Sequence, residues 1–509
     1  MPNKSVLRVT NVRLLRDDKL VDTDLWVADG KVIDPEARFW MATNENDYAP
    51  GRVVDGHGGI VAPGYIEVQI NGAYGFDFSS PSITDEQIEL IAHNLLATGV
   101  TAFCPTIVSS RPERYLIVME TFHRVIGNLK KKRLRDQHLT TNKGASAKIL
   151  GLHLEGPFIS PDRNGAHEKE VLQVPTNGIT SLIECYGGSL DDVAIVTLAP
   201  ELDGAMRTIR ELRERGIVAS AGHSVANIDV AMEAVDNGVN MLTHIFNAMA
   251  PFHQRDPGLI GLLGLVKDER PYYGMILDGV HAHPCSTRII ERCHPEGLML
   301  VTDAIAGMGL APGTYDLAGQ VMEVKEDAAY VAGTNTLAGS IVTTDACIRQ
   351  LREYTGCTIE QALLSASAHP ARALGAKANQ KGSLAFGADA DFVLLDDTLH
   401  VVQTFVGTTK VSTQFLFHQA TSLIKLLGPF ILVECTYLRS TIWATGSISI
   451  SSRDKTIWTY HVATLDSIGA ATHKAPVVND AKTDPRAKGY RMNLQLASQY
   501  PKVKSEFTY

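Results

Sequence analysis

The chain has 509 residues, of which 45% are hydrophobic and 20% are charged, and its formal net charge is -9 at pH 7. This length allows one large barrel with at least one smaller unit, and the composition is that of an ordinary globular enzyme. The negative net charge excludes a general attraction to nucleic acid or to anionic membranes, so we expect neither as a partner.

Seven cysteines are scattered along the chain without a C-x-x-C pair. Their odd number favours reduced thiols over a disulfide framework. Residues 1–5 lack the apolar segment of a secretory signal. The most apolar part of the tail, residues 423–438, is interrupted by Lys425, Gly428, Pro429 and Glu434, which makes it a poor membrane span. We therefore expect a cytosolic protein.

Residues 6–60 contain short alternating apolar runs between Asp-Gly and Asp-Pro breakers, which predict a small β unit with little helix. From Gly64 the pattern becomes strand, turn and helix in repetition. The first helix is expected to begin at Thr84, with a capping box to Gln87 and with Ile88, Ile91 and Leu95 on its inner face. Apolar runs predict eight strands, at residues 65–70, 100–108, 149–154, 193–198, 217–221, 239–243, 272–277 and 298–302.

Eight strands that alternate with helices predict the α/β class and a (β/α)8 TIM barrel. Residues 340–375 are expected to form two helices, with Thr358 capping the second. Short β runs return at residues 381–396 and are expected to complete the small unit as a β-sandwich. The expected ranges are 1–62 and 376–402 for the small β unit, 63–375 for the barrel, and 403–509 for an extension whose pattern predicts no fold.

A basic run occupies Lys130 to Arg135 at the start of a polar segment. It could be a nuclear-targeting or phosphate-attracting patch, but a solvated surface loop is the better interpretation for such a run.

Three potential metal ligands follow predicted strands. Glu155 ends the third strand, His223 follows the fifth and His244 follows the sixth. Each residue alone has a structural explanation, since a strand-end histidine is commonly hydrogen-bonded and Glu155 could cap a helix. The carboxyl ends of barrel strands meet at one rim, however, so two imidazoles and one carboxylate are expected to hold one divalent cation, such as zinc or another first-row ion.

Asp303 follows the eighth strand and is expected to reach a water activated by the cation. An aspartate in that position is a credible general base and, once protonated, a general acid for an amine leaving group. A capping or salt-bridging role is its structural alternative.

Two more residues of the predicted rim could contact a substrate. His281, after the seventh strand, could bond a hydroxyl or carbonyl group. Arg255 could bind an anion with its planar guanidinium, or could pair with the neighbouring Asp256 at the surface. His253 and His283 are interpreted as loop residues without a role.

With these residues placed, the chain resembles the amidohydrolase superfamily and, within it, the N-acetylglucosamine-6-phosphate deacetylase family. Most superfamily members carry His-x-His at the end of the first strand, where this chain has Gln69-Ile70-Asn71, as the deacetylase family does. The loss of two ligands argues for one metal ion rather than a pair. The matching motifs are Pro63 to Gly72, His153 to Phe158, Ala221 to Ser224, Thr243 to Met249, Asp278 to His281, Thr302 to Ala304 and Gly387 to Val393.

The resemblance implies a metal-dependent hydrolase that removes the acetyl group of N-acetylglucosamine 6-phosphate. It implies that Glu155, His223 and His244 bind one divalent ion per subunit, with zinc expected, and that Asp303 transfers the proton. It also implies a homodimer with the active site near the subunit interface. The residues that it places around the sugar phosphate are Ala166, Asn247, Ala248, Arg255, Asp278, Gly279, Val280, His281 and a turn formed by Leu337, Ala338 and Gly339.

Two alternatives stay open at this point. One is a different amidohydrolase that acts on a cyclic amide or on another N-acetyl amino sugar. The other is a non-catalytic scaffold that keeps the barrel, although a scaffold would be expected to lose ligands and this chain has all four central residues, Glu155, His223, His244 and Asp303.

Overall fold

The computed structural model describes residues 3–42, 48–136, 145–266, 270–317, 319–326, 328–334 and 336–411, and three strands further along the chain. The chain divides into two compact units, residues 1–422 and 423–509. The account below concerns the first unit unless stated otherwise.

Eight parallel strands form the barrel that the sequence predicts. Neighbouring strands pair in chain order, from the first strand to the eighth. The backbone N–H of Asp303 donates to the carbonyl of Gln69 (2.9 Å), and the N–H of Asn71 donates to the carbonyl of Ala304 (2.8 Å), which joins the eighth strand to the first. In order, the barrel strands are Tyr65–Ile70, Val100–Val108, Leu152–Glu155, Val193–Leu198, Val218–Ala221, Val239–Leu242, Tyr272–Ile276 and Leu298–Val301.

Part of the barrel interior is an apolar cluster. Ile66, Val68, Ala102, Ile195 and Met299 are completely buried and belong to one cluster inside the strands. The outer faces of the strands pack against the helices in a second, larger cluster. Because strands buried on both faces carry continuous apolar runs, their bounds were predictable to within two or three residues at each end.

Two helices of the barrel begin at the capping residues expected from the sequence. Thr84 and Gln87 form a capping box at the first barrel helix, and Thr358 and Gln361 form another. Ile88, Ile91 and Leu95 are buried as predicted. The described helices of this unit are Pro35–Met41, Asp85–Asn94, Pro112–Asp136, Ile179–Tyr186, Ala205–Glu214, Ile228–Asn237, Pro284–Cys293, Thr344–Thr355, Ile359–Leu364 and Ala368–Leu374.

The small β unit is a sandwich of two sheets, as predicted. Leu7 and Val27 from one sheet share a core cluster with Val61, Phe392 and Phe405 from the other. In order from one edge to the other, the strands of the first sheet are Lys31–Val32, Leu25–Ala28, Asn3–Thr10 and Pro50–Asp55. Those of the second sheet are Thr409–Lys410, Val401–Val406, Asp391–Leu395, Ile60–Pro63, Arg13–Arg16 and Lys19–Asp22.

The second sheet of the sandwich runs past residue 402, where the sequence placed the end of this unit. The strand Val401–Val406 pairs with Asp391–Leu395, and its Phe405 stacks on Phe392 with ring centroids 4.4 Å apart. The stacked pair anchors the strand in the sandwich core. The division into four residue ranges otherwise stays a prediction.

Three local predictions were wrong. Lys130 to Arg135 is not a loop, because the helix Pro112–Asp136 continues through it, and Lys130 forms an ion pair with Asp192 (3.4 Å). Residues 340–375 form three helices rather than two, since the chain leaves the helix between Leu364 and Ala368.

The third wrong prediction concerns Leu337–Gly339, which was expected to be a turn. It is a short strand in an antiparallel sheet whose other strands are Gly313–Leu317, Gln320–Val324 and Ala329–Val331. The sequence reading assigned no structure to this sheet. Its strands do not alternate between buried apolar and exposed polar residues, since Val321 is exposed, so the alternating signal of a strand is weak there.

In the second unit, the strands Leu432–Glu434, Gly446–Ser451 and Ile457–Val462 form an antiparallel sheet. The apolar stretch 423–438 lies outside the described residues except for the first of these strands. Among the described residues, no helix is long and apolar enough to cross a membrane.

Candidate metal centre and active site

Four residues singled out in the sequence lie at the carboxyl ends of barrel strands. Glu155 is the last residue of the third strand, His223 and His244 follow the fifth and sixth strands by two residues, and Asp303 follows the eighth by two. In a closed parallel barrel these ends share one rim.

Glu155, His223 and His244 meet at one point. The Nε2 atom of His223 lies 3.2 Å from Glu155 Oε1, the Nε2 atom of His244 lies 3.0 Å from the same oxygen, and the two nitrogens are 3.1 Å apart. All three residues are buried. Ligands about 2.0–2.2 Å from a zinc ion are separated by about 3.0–3.5 Å, so these atoms fit a single small cation.

The hydrogen bond of the His223 Nδ1 atom leaves its Nε2 atom available for a metal. Its Nδ1 contacts the carbonyl oxygen of Arg163 (2.8 Å) and therefore carries the ring proton. Its Nε2 then presents a lone pair toward Glu155 and His244. A histidine that donates its second nitrogen to a backbone carbonyl is the usual arrangement of a metal ligand.

The electrostatics of these residues favour a positive charge beside Glu155. Burial raises the pKa of the Glu155 carboxyl, but the hydrogen bonds and charges of His223 and His244 outweigh burial and hold this pKa well below its usual range. Burial lowers the pKa of His244, yet the same contact with Glu155 raises it to about 9. A buried carboxylate needs a cationic partner, which either a proton or a metal ion can supply.

His167 is a fourth residue of the site, and the sequence reading gave it no role. Metal-ligating atoms of Glu155, His167 and His223 all lie within 4.8 Å of one another. The His167 Nδ1, however, accepts a hydrogen bond from the backbone N–H of Ser109 (3.2 Å). Burial, followed by the charge of His223, lowers the pKa of His167 to about 4, so the ring is neutral and its proton is on Nε2. His167 is thus a hydrogen-bond donor beside the candidate metal ligands.

Gln69 and Asn71, at the end of the first strand, bind the two carboxylates of the site. Gln69 Nε2 donates to Glu155 Oε1 (3.1 Å) and to Asp303 Oδ1 (3.3 Å), and Asn71 Nδ2 donates to Asp303 Oδ1 (2.8 Å). Burial, followed by the nearby charge of Glu155, raises the pKa of Asp303 to about 6. The Asp303 carboxyl can therefore change protonation state near neutral pH.

Three of these side chains extend from strained backbone. His223, His244 and Asp303 have φ angles of +49°, +25° and +46°, in a region that residues with a Cβ rarely adopt. Such conformations persist where the surrounding structure holds them, and they concentrate at functional sites.

A chain of buried polar groups lies beneath the candidate ligands. His153 binds the carbonyl of Val68 (2.9 Å) and the hydroxyl of Thr197 (2.7 Å), and Thr197 continues to Thr243 (2.7 Å) and Ser220 (2.6 Å from Thr243). The chain links the third, fourth, fifth and sixth strands directly below Glu155, His223 and His244. It holds their backbones at fixed separations.

The motif Asp278 to His281 forms a tight local structure after the seventh strand. The Asp278 carboxylate accepts hydrogen bonds from the N–H groups of Val280 and His281 (both 2.9 Å) and from His281 Nδ1 (2.6 Å). The carboxylate is fully buried, so Asp278 orients His281. The His281 Nε2 is left for another partner. Substrate contacts by Asp278, Gly279 and Val280 stay predictions.

The other predicted substrate residues lie around the same rim. Asn247 and Ala248 follow His244 by three and four residues, and Ala166 lines a cavity of about 450 Å³ together with His167. The strand Leu337–Gly339 is next to Ser340, whose carbonyl accepts from the N–H of Ile305, two residues after Asp303 (3.0 Å). Their contacts with a substrate stay predictions.

Arg255 does not form the surface ion pair considered as its structural alternative. Its side chain is exposed and has no ion pair among the described residues, and the carboxylate of Asp256 instead accepts from the N–H of Ile228 (2.9 Å). The guanidinium is therefore free to bind an anion.

His167 was missed because no periodic pattern marks the loop between the third strand and the next helix. The loop folds back over the rim, and Gly165, with φ of +58°, allows the close approach, since an added Cβ would lie 3.2 Å from the His223 ring. The one available signal was a histidine in a glycine-containing loop directly after the strand that carries Glu155.

Comparisons with known proteins show the family of this chain. Residues 60–417 match the model of the amidohydrolase family. An N-acetylglucosamine-6-phosphate deacetylase from Danio rerio is 47% identical over 421 residues, covering 80% of this chain and 98% of the relative, and the Homo sapiens enzyme of that name is 47% identical over 409 residues, covering 79% and 94%.

A solved structure extends the similarity to the fold. It is a mutant of N-acetyl-D-glucosamine-6-phosphate deacetylase from Mycobacterium smegmatis in complex with N-acetyl-D-glucosamine 6-phosphate, with a TM-score of 0.65 and 31% identity, covering 80% of this chain and 99% of that one. This chain belongs to the amidohydrolase family and, within it, to the N-acetylglucosamine-6-phosphate deacetylases.

Proposed function

We propose that this protein hydrolyses the acetamide of N-acetyl-D-glucosamine 6-phosphate to D-glucosamine 6-phosphate and acetate. The observation that carries the proposal is the convergence of Glu155, His223 and His244 within 3.2 Å, with Asp303 hydrogen-bonded to the same Gln69 side chain as Glu155. The Mycobacterium smegmatis structure with this sugar phosphate bound and the identity to the Danio rerio deacetylase support the choice of substrate.

Glu155, His223 and His244 would hold one divalent cation per subunit. The cation would polarise the acetamide carbonyl and lower the pKa of the attacking water. Two imidazoles and one carboxylate favour zinc, with other first-row divalent ions as substitutes.

Asp303 moves the proton. Its carboxylate accepts the proton of the attacking water and then gives it to the nitrogen of the leaving amine. A group whose pKa is near neutrality is efficient in both directions, and burial raises the pKa of Asp303 to about 6. Asn71 and Gln69 keep the carboxylate oriented for both transfers.

His167 and His281 supply hydrogen bonds to the substrate. The Nε2 proton of His167 is fixed by Ser109, and the orientation of His281 is fixed by Asp278. A preorganised donor stabilises the negative charge that develops on the acetamide oxygen. Arg255 binds the phosphate, since its guanidinium has no ion pair among the described residues.

We propose that the enzyme is a homodimer and that it acts in the cytosol. The six cysteines within the described residues are all free thiols, which supports a reducing compartment. Neither nucleic acid nor a membrane is part of the proposed activity.

Product analysis tests this function. The metal-loaded protein is incubated with N-acetylglucosamine 6-phosphate, N-acetylgalactosamine 6-phosphate or a cyclic amide, and products are identified by proton NMR. We expect acetate and glucosamine 6-phosphate in equal amounts from the first compound at the highest kcat/KM. A higher kcat/KM for the cyclic amide or the galactosamine derivative would replace the proposed substrate.

A further inference from the structure

The first and eighth barrel strands, both of which the structure describes in full, share no regular ladder of hydrogen bonds. Near their beginnings, the N–H groups of Ile66 and Leu300 both donate to a turn between two helices, at the carbonyls of Ala366 (2.8 Å) and Ser365 (3.0 Å). The turn therefore lies between the two strands at that level. The backbones of the strands meet only at the catalytic rim, where the N–H of Asp303 reaches the first strand (2.9 Å).

The carboxyl group of Glu67 lies between this turn and the rim. One of its oxygens accepts from the backbone N–H of Gln69 on the first strand (2.9 Å), and the other accepts from the backbone N–H of Thr302, directly after the eighth (3.1 Å). The second oxygen also accepts from the hydroxyl of Thr344 (3.1 Å), the first residue of the helix Thr344–Thr355. Glu67 therefore takes the place of a ladder hydrogen bond between the two strands and ties both to a helix.

The N–H group of Thr302 depends on this carboxyl. Alternate N–H groups of a strand point to opposite neighbours, and the N–H of Leu300 already points away from the seventh strand, toward Ser365. The N–H of Thr302, two residues later, points to the same side. Thr302 is 1% exposed and Glu67 is fully buried, so solvent cannot replace the contact. Loss of the acceptor would leave a buried donor unpaired and would displace the backbone at Thr302.

The two backbone groups that Glu67 holds belong to the residues that set the geometry of proton transfer. The side chain of Gln69 donates to Glu155 (3.1 Å) and to Asp303 (3.3 Å). Asp303 follows Thr302 directly and has a φ of +46°, a conformation that persists only where the surrounding structure holds it. None of the hydrogen bonds of Glu67 reaches either carboxylate, so any effect on them passes through Gln69 and Thr302.

We propose that Glu67 is a positioning residue, which fixes Asp303 and Gln69 relative to the candidate metal ligands by closing the gap between the first and eighth strands. Its consequence for catalysis rests on the proposed function, whereas its consequence for structure rests on the hydrogen bonds alone. A neutral carboxyl can do this as well as a carboxylate, because its hydroxyl oxygen still accepts from Thr302. An amide cannot accept from both N–H groups, because its nitrogen is only a donor.

Steady-state deacetylation by metal-loaded Glu67→Gln tests the kinetic role. We expect kcat to fall about tenfold, with KM within twofold of wild type and unchanged metal content, because the geometry of proton transfer is disturbed and substrate binding is not. Glu291→Gln replaces another buried glutamate, on the helix Pro284–Cys293, and should keep wild-type kcat. Wild-type kcat in Glu67→Gln would overturn the proposal.

The double variant Glu67→Gln/Asp303→Asn distinguishes positioning of Asp303 from a general disturbance of the barrel. If Glu67 acts through Asp303, the kcat of the double variant should equal that of Asp303→Asn alone within about twofold. A further tenfold fall would overturn the proposal. Should Glu67→Gln fail to fold, Thr344→Val decides, since it removes one donor and leaves Glu67 in place. We expect its kcat to fall about threefold and Thr344→Ser to keep wild-type kcat, and wild-type kcat in Thr344→Val would overturn the proposal.

Crystal structures of the wild type and Glu67→Gln measure the same effect without a substrate. The distance from Gln69 Nε2 to Asp303 Oδ1, which is 3.3 Å in the wild type, should lengthen beyond about 3.5 Å in the variant. An unchanged distance would overturn the proposal. If the wild type released no acetate, the proposed function would fail, and this distance would still decide whether Glu67 positions Asp303.

Discussion

The Nε2 atoms of His223 and His244 lie 3.1 Å apart, and both are within 3.2 Å of one carboxylate oxygen of Glu155. A buried carboxylate between two imidazole nitrogens needs a positive charge, which a proton on His244 or a metal ion can supply. The arrangement is therefore a candidate cation site in which the three residues would act together.

Glu155→Ala should lower the metal content, and the loss of activity should follow from the loss of metal. The substitution takes away the only carboxylate of the ligand set and leaves two imidazoles, so we expect metal content, measured by mass spectrometry after gel filtration, to fall well below one ion per chain. Activity should fall in proportion. Glu168→Ala, an exposed carboxylate in the same loop region, is the control and should keep its metal. Full metal content in Glu155→Ala would contradict the assignment.

Asp303→Asn should separate metal binding from proton transfer. The amide oxygen can still accept the hydrogen bond from Asn71, so fold and metal content should be preserved. We expect kcat to fall by about 100-fold to 10,000-fold, the usual contribution of a general acid–base. Asp316→Asn, at an exposed position of a different sheet, should leave kcat unchanged. Wild-type kcat in Asp303→Asn would show that another group carries the proton.

Arg255→Gln should affect the phosphorylated substrate selectively. The loss of one charge-assisted contact to phosphate should raise KM for N-acetylglucosamine 6-phosphate by about 10-fold to 100-fold, with a smaller change in kcat. Rates with unphosphorylated N-acetylglucosamine should not change. Arg292→Gln, at an exposed position of the helix Pro284–Cys293, is the matched control. Equal wild-type rates for both sugars would favour a different amidohydrolase substrate.

Glu67 should make stability depend on pH. Its buried carboxyl accepts from the N–H groups of Gln69 (2.9 Å) and Thr302 (3.1 Å) and from the hydroxyl of Thr344 (3.1 Å). Burial outweighs these contacts and raises the pKa of Glu67 to about 7 from 4.5. The folded state binds the proton of the Glu67 carboxyl more tightly than the unfolded state does. Protonated Glu67 therefore stabilises the folded state fully below pH 4.5, and this stabilisation is lost as the pH rises through 7.

Glu67→Gln isolates this contribution because glutamine does not titrate. The stability advantage of the wild type over Glu67→Gln should shrink by about 2 kcal/mol between pH 5 and pH 7.5, measured by urea unfolding of the metal-loaded proteins. A difference between the two proteins that is constant over this range would mean that Glu67 has an ordinary pKa in the folded state.

The barrel and the positions of the candidate ligands at its rim were predictable for one physical reason. Parallel strands buried on both faces are continuous apolar runs, and a polar residue such as Glu155 or His244 directly after such a run marks the strand's end. The helix caps at Thr84 and Thr358 were equally predictable from the sequence. These signals are contained within a few neighbouring residues.

Features that depend on tertiary contacts were not predictable. His167 reaches the metal ligands only because its loop folds back over the rim, and the length of the helix through Lys130 depends on packing along its earlier turns. The roles of Gln69 and Asn71 as donors to Glu155 and Asp303 also required distances between distant strands. No local pattern contains such information.

Acetate release from N-acetylglucosamine 6-phosphate tests the central claim most directly. The purified protein is assayed as prepared, after removal of metal with a chelator, and after addition of one equivalent of zinc. The site formed by Glu155, His223 and His244 predicts rapid release, loss of at least about 99% of the rate on chelation, and recovery with zinc. Release that is insensitive to the chelator, or no release in the zinc-loaded protein, would contradict it.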